Sequence, residues 1–327
     1  MKLTTYTDLP RSWEISHHDK ILMFGSCFSD NIGQKLRQGK FDCRINPYGT
    51  LYNPLSIARA MEEIISGKMY TAADLTERGG RWHSMMHHSD YSGNSPEEVL
   101  ERINSSIRET REDLPHTDIL ILTFGSARVY ENERGVVGNC HKFPEACFSR
   151  RLISASEIIS TWEALFIKLK EINPGLRTII TVSPIRHIRD GLTGNSVSKA
   201  VLRMAAEELT TGKESRVYFP SYEIMIDELR DYRFYAEDLV HPTPTAVEYI
   251  WEKFSDTYLT PKTRQTAAEW RKIEKGLSHR PSDIYSSEYY EFLNHIITKI
   301  EEFHKKYPYI AVDKDLRTCQ KQLRLIK

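Results

Sequence analysis

A chain of 327 residues is ample for a sizeable core, as one large domain or two average ones. Its 45 lysines and arginines balance 45 aspartates and glutamates, so there is no basic excess to neutralise a nucleic-acid backbone and no acidic block to suggest a disordered tail. The five cysteines are odd in number and irregularly spaced with no Cys-x-x-Cys pair, which argues against a disulfide framework and a structural zinc site.

The polar start, Met1 to Lys20, with Arg11, Glu14, His17, His18 and Asp19, holds no secretory h-region. No apolar run approaches the roughly 20 residues of a bilayer span. These features predict a reducing, cytoplasmic setting. Ile21-Leu-Met-Phe24 is a short apolar run that stops at Gly25, the pattern of a buried strand, and Ile32 and Leu36 mark a helix after it. Asn46 to Pro54 is rich in turn formers and predicts a loop. Leu55 to Ile65 has helical spacing and stops at Gly67. Arg81 to Ser92 mixes Trp, His, Met and Ser without period and predicts a loop. Ser95-Pro96 opens a helix to about Arg111, with serine as cap and proline at the first helical position.

Asp118 to Phe124 is the second strong strand, ending in Gly125, and Val129 to Cys140 predicts a hairpin or excursion. Ser154 to Glu171 is an amphipathic helix stopped by Asn173-Pro-Gly. Thr178 to Val182 and Arg216 to Phe219 are the third and fourth strands. Helices are predicted over Ser196 to Leu209, Ser221 to Leu229 and Thr243 to Tyr258. The tail from Thr263 to Lys327 is charged and helical, with Tyr289, Phe292, Ile296 and Ile300 on one stripe. Alternating strands and helices predict an α/β fold: a three-layer α/β/α sandwich with a mostly parallel sheet over residues 1–260, followed by a helical C-terminal extension over 261–327 packed on that core. Ligands bind such sheets at the carboxyl ends of the strands, where Gly25-Ser26-Cys27, Gly125-Ser126 and Ser183-Pro184 all lie.

A strand that runs into a glycine turn opening a helix aims the next side chains and the first helical amides at one spot. A thiol or hydroxyl there is a candidate nucleophile. The plainer readings are an N-cap for Ser26 and a small buried hydrophobe for Cys27. Asp238-Leu-Val-His241 precedes a helix, and its spacing lets Asp238 accept a hydrogen bond from the imidazole, so that His241 serves as base. Turn and capping roles are the alternatives for this pair. His83, His87, His88, His141, Lys142, Arg186 and His187 remain candidates for substrate contact, with Arg186 and His187 placed to meet an anion. Twelve histidines without a His-x-x-x-His pair on a helix suggest no metal.

Phe24-Gly-Ser-Cys-Phe-Ser29 resembles the signature of the GSCFA family, which is similar to the SGNH/GDSL hydrolases. Asn46-Pro-Tyr-Gly-Thr50, His88-Ser89, Thr123-Phe-Gly-Ser126, Asn139-Cys-His-Lys142, Ser183-Pro-Ile-Arg-His187 and Asp238-x-x-His241 extend the resemblance through most of the chain. It implies a flavodoxin-like sheet, a nucleophile in the first block and Asp238-x-x-His241 completing a triad. Laid without a gap, Gly-Asp-Ser falls on Gly25-Ser26-Cys27 and puts Cys27 where the catalytic serine would be; the glycine at the strand end anchors this register and favours Cys27, while a one-residue shift restores Ser26. The Gly-x-Asn block falls on Gly125-Ser126-Ala127, so its asparagine is missing. Asn139 is the best substitute, with Gly49 as the glycine donor to the oxyanion. The resemblance implies an esterase acting on an acylated, carbohydrate-type substrate, without metal or organic cofactor. Its rivals are an O-acyltransferase with an acyl-CoA donor and a non-catalytic binding module on the same fold. The expected partner is a small-molecule or glycan ester, not nucleic acid or a membrane; the oligomeric state stays open.

Overall fold

A computed structural model describes residues 4–9, 13–278, 281 and 283–326. The expectations for the N-terminal stretch and the helical tail are met with structure only on those residues; Met1–Leu3, Pro10–Ser12, His279–Arg280, Ser282 and Lys327 lie outside them. Ten strands and ten helices follow in chain order among the described residues. They are β1 (Lys20–Gly25), α1 (Cys27–Gln38), β2 (Asp42–Ile45), α2 (Pro54–Ser66), β3 (Leu75–Arg78), β4 (Arg81–Ser84), α3 (Pro96–Asp113), β5 (Ile119–Phe124), β6 (Arg128–Asn132) and β7 (Gly135–Val137). After them come β8 (Ser149–Leu152), α4 (Ala155–Ile172), β9 (Arg177–Val182), α5 (Gly191–Thr210), β10 (Arg216–Phe219) and α6 (Ser221–Glu223), which runs on as a π-helical segment, Ile224–Leu229. The chain then forms α7 (Pro244–Tyr258), α8 (Pro261–Leu277), α9 (Ser287–Lys306) and α10 (Asp313–Ile326).

Five strands pair in the order β10-β9-β5-β1-β2, all parallel. Renumbered within the sheet this is the 2-1-3-4-5 order of flavodoxin-like folds, whose ligand crevice lies between the first and third strands. Side chains alternate between two cores. Leu22, Phe24, Leu120, Leu122, Ile180 and Val182 face α2, α3, α4 and α5. Ile21, Met23, Ile119, Ile121, Ile179 and Phe219 face α1 and α7. This period-2 division of near-continuous apolar strands is what a sheet covered on both faces requires. The predicted three-layer sandwich is the observed fold.

Several elements differ from expectation. β2 was not visible because its residues, Asp-Cys-Arg-Ile, form a short edge strand with only Cys43 buried. Residues 81–84, expected in a loop, pair antiparallel with β3 as a small hairpin. The excursion after β5 holds a third strand, β8, which pairs with β6 and carries exposed arginines in place of an apolar pattern. α5 starts at Gly191, five residues ahead of the predicted Ser196. Ser95 caps α3 as read, accepting from the amide three residues on, and Ser154 and Thr243 do the same for α4 and α7.

The tail helices gather around Trp270, Ile273, Ile296, Ile300 and Phe303. They lean on the end of α1, where Lys40 lies 4.4 Å over the Trp270 ring and pairs with Asp315. Among the described residues no helix is long and apolar enough to cross a membrane, and the five cysteines form no disulfide.

Candidate active site

The crevice at the carboxyl ends of β1 and β5 is built from backbone groups first. Gly25 has φ +151°, and a methyl there would lie 2.5 Å from the Thr123 carbonyl oxygen, so only glycine lets β1 and β5 approach this closely. The Gly25 amide donates to Asn46 Oδ1 at 2.8 Å, and the Asn46 carboxamide nitrogen donates to Asp30 at 2.7 Å. Tyr52 O accepts from both Gly125 N and Ser126 N at 2.8 Å. Beneath these turns lies Lys199, fully buried, whose Nζ donates to Gly125 O at 2.8 Å and Ser183 O at 2.7 Å. Burial pushes its ammonium down to about 7.

Ser26 and Cys27 separate sharply in this frame. Ser26 is 0% exposed. It caps α1, accepting from Phe28 N at 3.3 Å while its hydroxyl donates to Ser183 Oγ at 3.0 Å. Cys27, the first residue of α1, is half-buried. Burial pushes the thiol above its ordinary value and Asp30 and Asp238 add to the push, while the backbone amides at the start of α1 act against it. The group is therefore a thiol near neutrality that needs a base, not a preformed thiolate.

The base loop closes on itself. Asp238 Oδ2 meets His241 Nδ1 at 2.6 Å, and Oδ1 accepts from Val240 N at 2.9 Å and His241 N at 3.0 Å. The His241 amide and imidazole and the Val240 amide together hold the carboxyl down at about 2. Leu239, between them, takes φ +56°. Arg186 ties this loop to the β9 end, with its amide on Val240 O and its guanidinium on Leu239 O, both at 3.3 Å. His241 makes no hydrogen bond to Ser26 or Cys27 among the described residues, and its Nε2 is left without a protein partner.

The remaining expected residues fall in two groups. Asn139 and His187 line a cavity beside the crevice together with Arg186. Asn139 Oδ1 accepts from His141 N at 2.8 Å, which leaves its carboxamide nitrogen without a described partner. His187 Nε2 is buried and unpartnered, and burial pushes this imidazole down to about 3, with Lys199 and His241 adding to the effect. It lies by the nucleophile turn: a methyl on Gly125 would sit 3.2 Å from His187 Nε2 and 3.5 Å from Ser26 Cβ. Gly49, expected as an oxyanion donor, directs its amide to Asn46 O at 2.6 Å and packs against His88 with φ +71°.

The second group does not line this cavity. His88 caps a short 3₁₀ turn and meets Asp90 at 3.0 Å. His141 Nε2 meets Ser84 O at 2.8 Å, and burial pushes its imidazole down to about 4. Lys142 is exposed, and its carbonyl accepts from Arg78. His83 meets Ser92 Oγ at 2.8 Å. His87 is fully buried against Tyr48, Tyr70 and Tyr91.

Three groups at the site escaped the sequence reading. Asp30 had a local signal, standing three residues after Cys27 in the first turn of α1. Lys199 had none, because a lysine in an amphipathic helix reads as solvated. Tyr52 contributes a carbonyl, and backbone groups leave no trace in a sequence pattern.

The family model described as the GSCFA family matches residues 20–254, and the model described as GSCFA domain protein, C-terminal domain, matches residues 270–325. No curated protein matches the chain.

Proposed function

The chain belongs to the GSCFA family, and we propose that it is an acyl-transfer enzyme of the esterase type with Cys27 as nucleophile, His241 as base and Asp238 as its orienting carboxylate. The observation that carries this reading is the division of labour at the crevice. Asp238 holds His241 by Nδ1 and leaves Nε2 without a hydrogen-bond partner among the described residues, while the half-buried thiol is carried by the first residue of α1. Catalytic hydrogen bonds are often long before substrate binds, so the missing His241 contact is compatible with a base that engages on binding.

In the proposed reaction Cys27 Sγ attacks the acyl carbonyl carbon and its proton passes to His241 Nε2. The Cys27 amide and the Asn139 carboxamide nitrogen donate to the oxyanion. The alcohol leaves with the proton from His241, giving a thioester. Water then attacks that thioester while His241 takes its proton; the C–S bond breaks, the acid leaves and the Cys27 thiolate regains the proton from His241, and a hydroxyl acceptor in place of water makes the same chemistry a transfer. Ser26 is the weaker nucleophile candidate because its hydroxyl is buried and hydrogen-bonded on both sides. The resemblance of the Asp238-x-x-His241 block to that of SGNH hydrolases, read from the sequence motif, favours the same assignment of Asp238 and His241.

Incubation with p-nitrophenyl acetate followed by intact-protein mass spectrometry tests the reading. An acetyl adduct of the wild type that maps to Cys27, persists in Ser26→Ala and disappears in Cys27→Ala is expected. An adduct that survives Cys27→Ala and disappears only in Ser26→Ala would assign the wrong nucleophile here. Equal turnover by wild type, Cys27→Ala, Ser26→Ala and His241→Ala would sink the enzyme reading altogether.

A further inference from the structure

Beside the candidate nucleophile lies a cavity of about 390 Å³. Tyr52, Asn53, Ser126 and His187 line it from the crevice side, and β6, β7 with the segment after it, β8 and the loop after β9 supply the rest. Four arginines face it, Arg128, Arg150, Arg186 and Arg189, and no acidic residue does. Two acids reach these arginines from outside the lining. Asp190 pairs with Arg150 and lies 3.7 Å from Arg128, and Glu145 pairs with Arg189. Arg186 joins no ion pair among the described residues; its guanidinium stacks over Tyr235 at 3.8 Å. Four guanidiniums against two carboxylates leave an excess of two positive charges.

A second observation points the same way. Three buried polar atoms on this lining have no hydrogen-bond partner among the described residues: Arg128 Nε, which meets Asp190 Oδ2 only at 3.7 Å, Tyr130 Oη and His187 Nε2. Buried polar atoms are almost always paired, so three orphans on one wall mark a place where a ligand supplies the partners. The Arg and Tyr groups are donors, and a neutral imidazole donates from one nitrogen. The missing partner is therefore rich in acceptors. Arginine forks match planar or tetrahedral oxygen anions in a way that no apolar or cationic ligand exploits.

We propose that this cavity binds a phosphate or carboxylate group of the substrate acylated or deacylated at Cys27, so that the substrate is an anionic, sugar-sized ester. The proposal rests on the acyl-transfer reading of the neighbouring site. The size favours such a ligand over a whole acyl-CoA, because about 390 Å³ stands at the small end of the roughly 300–1,000 Å³ range of ligand sites. Val137 and Ile188, also on the lining, offer apolar surface to the rest of the molecule.

Isothermal titration calorimetry with glucose 1-phosphate, glucuronate, CoA and uncharged glucose tests this without any turnover. Saturable binding of glucose 1-phosphate or glucuronate, absent for glucose and weakened by salt, is expected. Arg128→Gln lowers that affinity by about tenfold or more, the scale of one charge-assisted contact. Arg186→Gln, which breaks no ion pair, gives a second variant should Arg128→Gln fail to fold. Binding of CoA with no binding of glucose 1-phosphate or glucuronate would overturn the sugar-sized ligand and place the anion on an acyl donor. No anion binding, or binding untouched by both arginine variants, would overturn the site itself. Because calorimetry reads binding and mass spectrometry reads the acyl adduct, either idea fails separately: an adduct without anion binding removes only this inference, and anion binding without an adduct removes only the proposed chemistry.

Discussion

The nucleophile turn and the base loop are built on opposite principles. The turn at Gly25-Ser26-Cys27 is buried and tied to its surroundings: Asn46, Tyr52, Ser183 and Lys199 hold the backbone of three neighbouring strand ends. The loop at Asp238 to His241 is half-exposed, and most of its bonds are made to itself. The first half is positioned by the whole sheet and cannot move without it. The second is positioned by one carboxylate and an arginine. Changes in the turn should therefore lower stability, and changes in the loop should lower activity with little effect on stability.

Gly25→Ala is the harshest test on the turn side. It combines an unfavourable φ with a methyl 2.5 Å from the Thr123 carbonyl oxygen. A loss of about 4 kcal/mol in a urea titration is expected, strain and overpacking together. A loss below about 1 kcal/mol would mean that the β1–β5 approach is soft and the comparison mistaken.

Lys199→Met probes the same frame from below. It leaves Gly125 O and Ser183 O without their buried donor, and about 2–3 kcal/mol of destabilisation near neutral pH is expected. The effect carries a pH signature. The folded lysine titrates near 7, below its ordinary 10.5, so between those values the unfolded chain binds the extra proton. Wild-type stability relative to the variant should then rise from pH 7 towards pH 10.5. A flat difference in chemical unfolding over that window would remove the buried charge from the account.

Asp238→Asn should give the smallest stability change of the three and the clearest loss of function. An amide at that position turns the imidazole towards the wrong tautomer, and a fall of about 10²–10⁴ in esterase turnover is expected. The carboxyl titrates near 2, below its ordinary 3.8, so any stability it contributes is present above about pH 4 and is lost as pH falls through 2. Melting curves of wild type and variant should run close together at pH 7 and merge at pH 2. Destabilisation as large as that of Gly25→Ala would mean that the loop is part of the frame.

Much of the fold was legible because it rests on local patterns. Four of the five strands of the parallel sheet are apolar runs or alternate cleanly, and the cap Ser95 with Pro96 after it announced α3. β2 and β8 were not legible, because an edge strand and a small exposed sheet need no apolar pattern. The Asp238–His241 contact was legible because it spans three residues. Cys27 was favoured over Ser26 only by the register that Gly25 anchors, since both follow the same glycine.

The sequence by itself determined the alternation of strands and helices, the turn glycine, the short-range carboxylate–imidazole pair and, through its motifs, the family. Tertiary structure alone decided the rest. It buried Ser26 against Ser183 from another strand end and left Cys27 the more accessible neighbour. It placed Lys199 under two carbonyls and gathered arginines from β6, β8 and the β9 loop around one cavity. Each of these depends on residues tens of positions apart, and side chains so separated meet only when the sheet fixes which strand ends are neighbours.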